Sequence, residues 1–208
     1  MVSAIEQGRN GLATDFKSAR FWARELIENA LFPGARAIDA TMGNGHDTAW
    51  LCELVGENGK VYAFDVQQEA VDRTAERLQT AELASRAELF CLGHEHMAEA
   101  VREQVDAIVF NLGWLPGAEH GVTTQTSTTL RAVDAALDLL KEEAVMTVCI
   151  YPGHKEGTKE LRALLDWAGR LDDRRYDAML KCYVNQPNDP PQMLAIRKKK
   201  TRKKVKIP

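Results

Sequence analysis

The spacing of apolar residues changes repeatedly along the chain between a helical and a strand-like period. Residues 15–31 place apolar side chains three and four positions apart, which predicts an amphipathic helix that ends before Pro33 and Gly34. Short apolar runs that predict strands at 35–39, 60–65, 87–92, 105–111 and 144–151 alternate with segments that predict helices at about 47–55, 70–78, 126–141 and 157–169. Because strands joined through helices need crossover connections, the pattern predicts a parallel sheet covered on both faces.

The last two apolar runs differ, because only a turn-rich loop joins them. Residues 177–184 and 192–197 flank this loop, so they are expected to pair as an antiparallel hairpin. A mostly parallel, seven-stranded sheet that closes with such a hairpin is typical of Rossmann-like class I methyltransferases. We therefore predict one α/β domain over residues 15–197, preceded by an N-terminal arm (1–14) and followed by a basic tail (198–208).

Composition and charge narrow the expectations for partners. The 208 residues carry a net charge of −3, yet eight of the 27 basic residues and none of the 30 acidic ones fall within residues 197–208. This segment is either a phosphate-binding arm or a solvated terminus.

No apolar stretch has the length of a membrane span and no signal peptide is visible, so we expect a cytosolic protein. The four cysteines (Cys52, Cys91, Cys149 and Cys182) are expected to be reduced and buried, without a metal site.

A glycine-rich loop follows the first predicted strand and precedes a helix. Gly43 and Gly45 let a ligand approach main-chain N–H groups at the positive end of the helix dipole, and Asp65 ends the next strand, where a carboxylate can accept ribose hydroxyls. A nicotinamide dehydrogenase is the rival interpretation. Thr48 in place of a third glycine and Asp39, which would repel a pyrophosphate, favour S-adenosylmethionine (SAM) instead.

Four longer motifs are more specific than the glycine pair. They are Asp-Ala-Thr-Met-Gly-Asn-Gly-His-Asp-Thr (39–48), Phe-Asp-Val-Gln (64–67), Asn-Leu-Gly-Trp-Leu-Pro-Gly (111–117) and Tyr-Pro-Gly-His (151–154). Through them the chain resembles the MnmM (YtqB-like) methyltransferases over roughly residues 16–197. The resemblance implies SAM-dependent methylation of the aminomethyl group of wobble 5-aminomethyl-(2-thio)uridine in the tRNA anticodon stem-loop. It also suggests a homodimer.

The resemblance assigns the cofactor contacts by position. It implies that Asn44 and His46 contact the methionine part of SAM, that Asp65 and Gln67 contact the ribose and adenine side, and that Gly93-His94 contacts the adenine, with Gly93 where the family usually has serine. The full set expected to bind the cofactor is Asp39, Thr41, Gly43, Asn44, Gly45, His46, Asp47, Asp65, Val66, Gln67, Gly93, His94 and Asn111.

Asn111 ends the fourth predicted strand and is the first candidate for catalysis. A neutral amine is the nucleophile in N-methylation, and the amide carbonyl of Asn111 can accept its N–H and orient its lone pair. His154 could take the amine proton, although a loop hydrogen bond for His154 and proton loss to solvent remain alternatives. The residues expected to act in catalysis are Asn111, Trp114, Pro116 and His154, and those expected to bind substrate are Gly113, Trp114, Leu115, Tyr151, His154 and Asn185.

The sequence alone leaves other functions open. The same cofactor site would serve a methyltransferase that acts on another RNA base, such as one in rRNA, or on a small-molecule amine. It would also serve a SAM-binding module that interacts with RNA without catalysis.

Overall fold

The computed structural model describes residues 17–113 and 124–201. Seven strands form one sheet, and they are β1 (Arg36–Asp39), β2 (Lys60–Asp65), β3 (Ala87–Cys91), β4 (Val105–Asn111), β5 (Leu140–Ile150), β6 (Tyr176–Lys181) and β7 (Gln192–Lys198). Their spatial order is β3-β2-β1-β4-β5-β7-β6. Every neighbouring pair is parallel except the pairs of β7 with β5 and with β6.

Helices cover both faces of this sheet. They are α1 (Ala19–Ala30), α2 (His46–Val55), α3 (Gln68–Thr80), α4 (Met97–Ala100), α5 (Thr126–Leu139) and α6 (Lys155–Ala168), with short 3-10 helices at Ala84–Arg86 and His94–His96. Successive side chains of a strand point to opposite faces. Accordingly, Ile108 and Phe110 of β4 belong to one buried cluster, whereas Ala107 and Val109 belong to another. The predicted fold class, a Rossmann-like class I methyltransferase sheet with a closing hairpin, is confirmed.

The centre of the sheet contains the point where the strand order reverses. From β1 the chain proceeds to β2 on one side, while β4 pairs with β1 on the other side, so that Asp39 lies in register with Ala63 and Val109. Ligands of open α/β sheets bind at the carboxyl ends of the strands at such a point. The glycine-rich loop after β1 lies there.

Several element boundaries differ from the predictions, among them those of α1, α5 and β5. Helix α1 begins at Ala19 because Ser18 caps it, its Oγ accepting from the N–H of Phe21 at 3.3 Å; residues 15 and 16 lie outside the described part. Helix α5 ends at Leu139, and the chain continues directly into β5, four residues before the predicted start. Strand β5 starts early because Leu140 already pairs with Val105 of β4, even though polar residues follow Leu140.

The buried face of α3 was predicted incorrectly in part. Thr74 is fully buried and Ala75 is exposed, although the apolar pattern favoured the alanine. Thr74 faces the glycine-rich loop and its hydroxyl donates to the carbonyl of Gly43 at 3.1 Å, which satisfies its polar atom. The prediction of four buried cysteines also fails, since Cys91 is exposed at the end of the edge strand β3 and Cys182 is only partly buried.

The C-terminal hairpin is shorter on one strand and longer on the other than predicted. Strand β6 ends at Lys181, whereas β7 includes Lys198. The ammonium of Lys198 donates to the carbonyls of Leu137 and Leu140, both at 2.8 Å, so this residue belongs to the domain and not to a separate tail. Within the described ranges, no helix combines the length and the apolar character needed to cross a bilayer.

Candidate active site

A cavity of about 520 Å³ opens at the carboxyl ends of the central strands. It joins the loop after β1 to the ends of β2 and β4 and to the residue after β5, and α1 contributes to its wall. Most of the expected site residues meet there. Those that line it are Thr41, Gly43, Asn44, His46, Asp47, Asp65, Val66, Gln67, Gly93, His94, Asn111, Gly113 and Tyr151.

The glycine-rich loop depends on glycine for a close approach to α3. Gly45 has a φ of +76°, and a Cβ there would lie 2.7 Å from Oγ1 of Thr74. Such a distance is shorter than a van der Waals contact, so only glycine, which has no Cβ, lets the loop pack this closely on α3. Two arginines of α3 complete the support: Arg77 Nε donates to the carbonyl of Asn44 at 2.8 Å and Arg73 donates to its side-chain oxygen at 3.0 Å.

Asp65 is fixed at the end of β2 by main-chain donors. Its Oδ2 accepts from the N–H of Gly43 at 3.0 Å, and its Oδ1 accepts from the N–H of Gln67 at 3.0 Å. A carboxylate has about four acceptor sites, so two remain for the hydroxyls of a ribose. Val66, which is 59% exposed, offers apolar surface beside it for the face of a base.

The opposite wall of this end is formed by the segment after β3. His94 is 8% exposed, its Nδ1 lies 3.2 Å from the carbonyl of Ala40, and burial lowers its pKa. The ring is therefore neutral, with Nδ1 donating to that carbonyl and Nε2 left as an acceptor. At Gly93 a Cβ would meet the carboxylate of Glu95, so Glu95 occupies the space that a serine side chain would need.

The sequence suggested that Asp39 contacts the cofactor, but its side chain does not face the cavity. It is fully buried, its Oδ1 accepts from the N–H of Thr41 at 3.2 Å, and its Oδ2 accepts from the hydroxyl of Thr48 at 2.7 Å. Burial, with a smaller contribution from the nearby charge of Asp47, raises the pKa of Asp39 to about 7. Among the described residues, Asp39 thus supports the loop from behind while Asp47 lines the cavity.

Asp47 connects helix α1 to the end of β4. Its carboxylate accepts from Arg20 at 3.0 Å, from Arg24 at 2.6 Å and from the side-chain Nδ2 of Asn111 at 2.8 Å. The main chain of Asn111 is held as well, because its N–H donates to Oγ1 of Thr41 at 2.7 Å. Asn111 therefore occupies a defined position at the cavity wall, as its place at the end of a strand predicted.

Of the remaining residues expected in the site, some line the cavity and others do not. Tyr151 lines the cavity, and burial raises its pKa to about 12, so its phenol is protonated at neutral pH. His154 instead caps α6, where its Nδ1 accepts from the N–H of Gly157 at 3.1 Å, and the cavity lining formed by the described residues does not include it. Asn185 is exposed in the β6–β7 loop, away from that lining. Trp114, Leu115 and Pro116 lie outside the described residues.

The buried carboxylate of Glu160 stabilises the cavity wall at residue 124, where the second described range of the chain begins. Thr124 accepts through Oγ1 from the N–H of Gly113 at 3.0 Å and donates from its own N–H to the carbonyl of Gly113 at 3.0 Å. Its hydroxyl also donates to Glu160, which lies on α6 and accepts a second hydroxyl from Thr129. Burial raises the pKa of Glu160 despite these two hydrogen bonds.

Sequence reasoning missed several lining residues. Arg20 of α1 and Phe64 of β2 line the cavity, as do Thr124, Gln125 and Thr128 around the start of α5. The α5 residues had a usable signal, since the helix that follows a parallel strand begins at the carboxyl edge of the sheet. Arg20 had none, because the packing of α1 on β5 and β7 is not encoded in a local motif.

Fold and site together define a class. A Rossmann-like sheet with a closing hairpin, a glycine loop after the first strand and a carboxylate at the end of the second strand form the architecture of class I methyltransferases. The protein-family model described as "Putative rRNA methylase" matches residues 61–197, and the chain belongs to this family.

Individual relatives agree with this assignment. The chain is 37% identical over 158 residues to the chloroplastic tRNA (mnm(5)s(2)U34)-methyltransferase of Arabidopsis thaliana, covering 71% of this chain and 58% of that protein. It is 29% identical over 156 residues to the ribosomal RNA small subunit methyltransferase H of Acinetobacter baumannii, covering 65% of this chain and 48% of that protein. The chain thus spans about half the length of these two relatives.

Solved structures match over more of their length. A crystal structure from Clostridium thermocellum, described as a "putative rRNA-methylase", superposes with a TM-score of 0.86 at 35% identity and covers 88% of this chain and 98% of that chain. A protein from Streptococcus mutans, described as a "putative methyltransferase" and solved in complex with S-adenosylhomocysteine (SAH), superposes with a TM-score of 0.81 at 36% identity and covers 88% of this chain and 99% of that chain.

Proposed function

We propose that the protein is a SAM-dependent N-methyltransferase that methylates the aminomethyl group of wobble 5-aminomethyl-(2-thio)uridine in tRNA. The observation that carries this proposal is the two-ended cavity. One end presents Asp65, Val66 and His94, which suit a nucleoside, and the other presents Asn111 and Tyr151, which suit an amine. The two ends share the loop that follows β1.

The residues of the first end fit SAM. Asp65 is oriented by two main-chain donors and retains acceptor sites for the ribose, and Val66 and His94 border the space for the adenine. Asn44 and His46 line the part of the loop where the methionine moiety would lie. When bound, SAM supplies a methyl group on a sulfonium, an electrophile that a neutral amine can attack directly.

At the second end the protein orients the nucleophile. The carbonyl of Asn111 accepts an N–H of the neutral amine, which directs the lone pair of the nitrogen away from Asn111 and toward the methyl carbon. With SAM held by Asp65 and the loop after β1, the amine would form the new N–C bond as the C–S bond of the sulfonium breaks, and the electron pair of the C–S bond would pass to sulfur. The methylated ammonium then loses a proton to water, since the ring of His154 caps α6 and the described cavity lining does not include it.

The choice of tRNA rests on two supports. The Arabidopsis thaliana relative is named a tRNA (mnm(5)s(2)U34)-methyltransferase. The motifs of residues 39–48 and 111–117 resemble those of the MnmM family. An anticodon loop presents unpaired bases that can turn into a cavity, which suits an active site recessed at a sheet edge.

We also expect a cytosolic location and a homodimer. Cell fractionation tests the first expectation, and light scattering tests the second.

Methyl transfer to defined RNA tests the proposal. Purified protein, labelled SAM and tRNA bearing 5-aminomethyluridine should yield the 5-methylaminomethyl nucleoside. Asn111→Ala should lower kcat by about 100-fold or more while SAH binding persists, because one transition-state hydrogen bond is lost. Asn29→Ala, an exposed asparagine on α1, is the matched control and should behave as wild type. SAH binding without any transfer to tRNA would refute the proposed reaction.

A second candidate substrate is ribosomal RNA. Relatives from Streptococcus equi and Acinetobacter baumannii carry the name ribosomal RNA small subunit methyltransferase H, at 28% and 29% identity. Unmodified small ribosomal subunits therefore form a second arm of the same experiment. Transfer to rRNA alone would replace the tRNA substrate and keep the cofactor.

A further inference from the structure

We propose that Asp47 is a positioning residue that fixes the orientation of the Asn111 amide, so that Asn111 presents its carbonyl, and not its NH2 group, to the acceptor amine. The inference rests on the proposed function and deepens it. It assigns the Asp47 carboxylate to the acceptor end of the cavity, whereas the sequence placed Asp47 among the cofactor contacts.

The first step of the argument is the hydrogen bond between the two side chains. Nδ2 of Asn111 lies 2.8 Å from Oδ2 of Asp47. An ionised carboxylate can only accept hydrogen bonds, so the amide group nearest to it must be the NH2. The oxygen of Asn111 then points to the other side of the amide plane. An amide that could otherwise take either of two orientations is thereby restricted to one.

The second step concerns what holds Asp47 itself. Its side chain is 12% exposed and lies between two arginines of α1, with Arg20 at 3.0 Å and Arg24 at 2.6 Å. The guanidinium of Arg24 also stacks over the ring of Trp50, 4.6 Å from its centroid, which limits the movement of that arginine. The two cations and the amide occupy three acceptor positions of the carboxylate. Asp47 is thus held on more than one side.

The third step is the consequence for the reaction. The main chain of Asn111 is fixed by the hydrogen bond from its N–H to Thr41, so rotation of the side-chain amide is the remaining freedom. A rotated amide would offer N–H donors to the amine nitrogen. Those donors would engage the lone pair that must attack the methyl group, and the nucleophile would be lost. The orientation set by Asp47 therefore decides whether Asn111 helps or hinders transfer.

Asp47→Ala tests the inference, with Asp177→Ala as the matched control. Asp177 is likewise a carboxylate between two cations, Arg197 at 2.6 Å and Lys199 at 2.7 Å, but it lies on β6 away from the cavity. We expect Asp47→Ala to lower kcat by about 100-fold, the effect of misplacing a reacting group. SAH affinity and tRNA KM should stay within about threefold of wild type, as for any residue that acts on the transition state alone. Asp177→Ala should leave kcat unchanged.

A swap of the two side-chain types separates positioning from a merely structural role. Asn111→Asp alone places two carboxylates together and should be nearly inactive at neutral pH. In Asp47→Asn/Asn111→Asp the donor and acceptor are exchanged, and residue 111 again presents an oxygen to the amine. We expect the double variant to exceed Asn111→Asp in kcat by about tenfold, because contacting residues are energetically coupled.

The outcomes are distinguishable from failure of the proposed function. If the wild type transfers no methyl group to RNA, the proposed reaction fails, and the inference that rests on it falls with it. If the wild type is active and Asp47→Ala keeps its kcat, or loses SAH affinity alone, Asp47 does not position Asn111. Equal activity of Asn111→Asp and the double variant would also overturn the inference. Thermal unfolding of each variant with saturating SAH verifies that it is folded.

Discussion

Gly45→Ala should be among the most damaging single-methyl changes in the protein. Gly45 has a φ of +76°, a backbone conformation that costs a residue with a Cβ about 1–2 kcal/mol. The added methyl would also lie 2.7 Å from Oγ1 and 2.8 Å from Cγ2 of Thr74, and overpacking of this kind costs about 1–3 kcal/mol. The two contributions together predict a loss of about 2–5 kcal/mol of unfolding free energy.

Urea unfolding followed by circular dichroism measures this loss, and Gly34→Ala provides the control. Gly34 has a φ of +94°, but a Cβ there would meet no atom within 4 Å, so Gly34→Ala carries the backbone cost alone. The difference between the two variants should isolate the packing cost of about 1–3 kcal/mol. Because the proposed SAM site includes this loop, Gly45→Ala alone should weaken SAH binding in calorimetry.

The contact with Thr74 can be tested separately. In a Thr74→Ala background the two closest atoms are absent, so Gly45→Ala should cost less than it does in the wild type. Two results would refute the reasoning: an unfolding free energy of Gly45→Ala equal to that of Gly34→Ala, or an undiminished cost in the Thr74→Ala background. Either would show that the loop can move away from α3 without loss.

Three further predictions concern charge. The pKa of Asp39 is raised from 3.8 to about 7, so the folded state holds the proton of this carboxyl group more tightly than the unfolded state does. The stability that this proton contributes is therefore lost as pH rises from about 4 to about 7. Urea unfolding at several pH values should show this decline in wild type relative to Asp39→Asn, and parallel curves would contradict it. Glu160→Ala should cost about 1–3 kcal/mol because two threonine hydroxyls lose their acceptor, whereas Glu156→Ala on the same helix should be neutral by the same unfolding measurement. Deleting residues 202–208, which contain four Lys or Arg, should lower the log–log salt slope of tRNA binding by up to about 3 if this segment contacts phosphates, and an unchanged slope would exclude that contact.

The sequence predicted the parts of the site that local motifs define. Gly43, Asp65 and Asn111 each stand at or just after the end of a parallel strand, and such ends converge at one edge of the sheet. Their convergence at one cavity therefore followed from the strand pattern alone. The same reasoning explains why the fold class was predictable, since the change from helical separators to a short loop marks the antiparallel hairpin.

The sequence could not predict in which direction a side chain points or how a helix packs on the sheet. Asp39 ends β1 as expected, but its carboxylate turns inward to Thr48, and nothing in the motif distinguishes that direction from one facing the ligand. His154 follows β5 as expected, yet its ring caps α6, a role more often filled by serine, threonine or aspartate. Arg20 reaches the cavity only because α1 packs across β5 and β7, a contact between distant segments.

The two ends of the cavity depend on one structural element, and this constrains how the protein can work. Asp39 accepts from the N–H of Thr41, and Oγ1 of Thr41 accepts from the N–H of Asn111, while Asp47 at the end of the same loop accepts from the Asn111 side chain. Asn111 is therefore fixed, in main chain and side chain, by the segment that forms the proposed SAM site. A rigid element that contacts both reactants sets their separation. Changes to the main chain of the loop after β1, such as Gly45→Ala, should consequently alter cofactor affinity and turnover together, whereas Asp47→Ala should act mainly on turnover. Changes at Asp65, whose main-chain donors belong to Gly43 and Gln67, should act mainly on cofactor affinity.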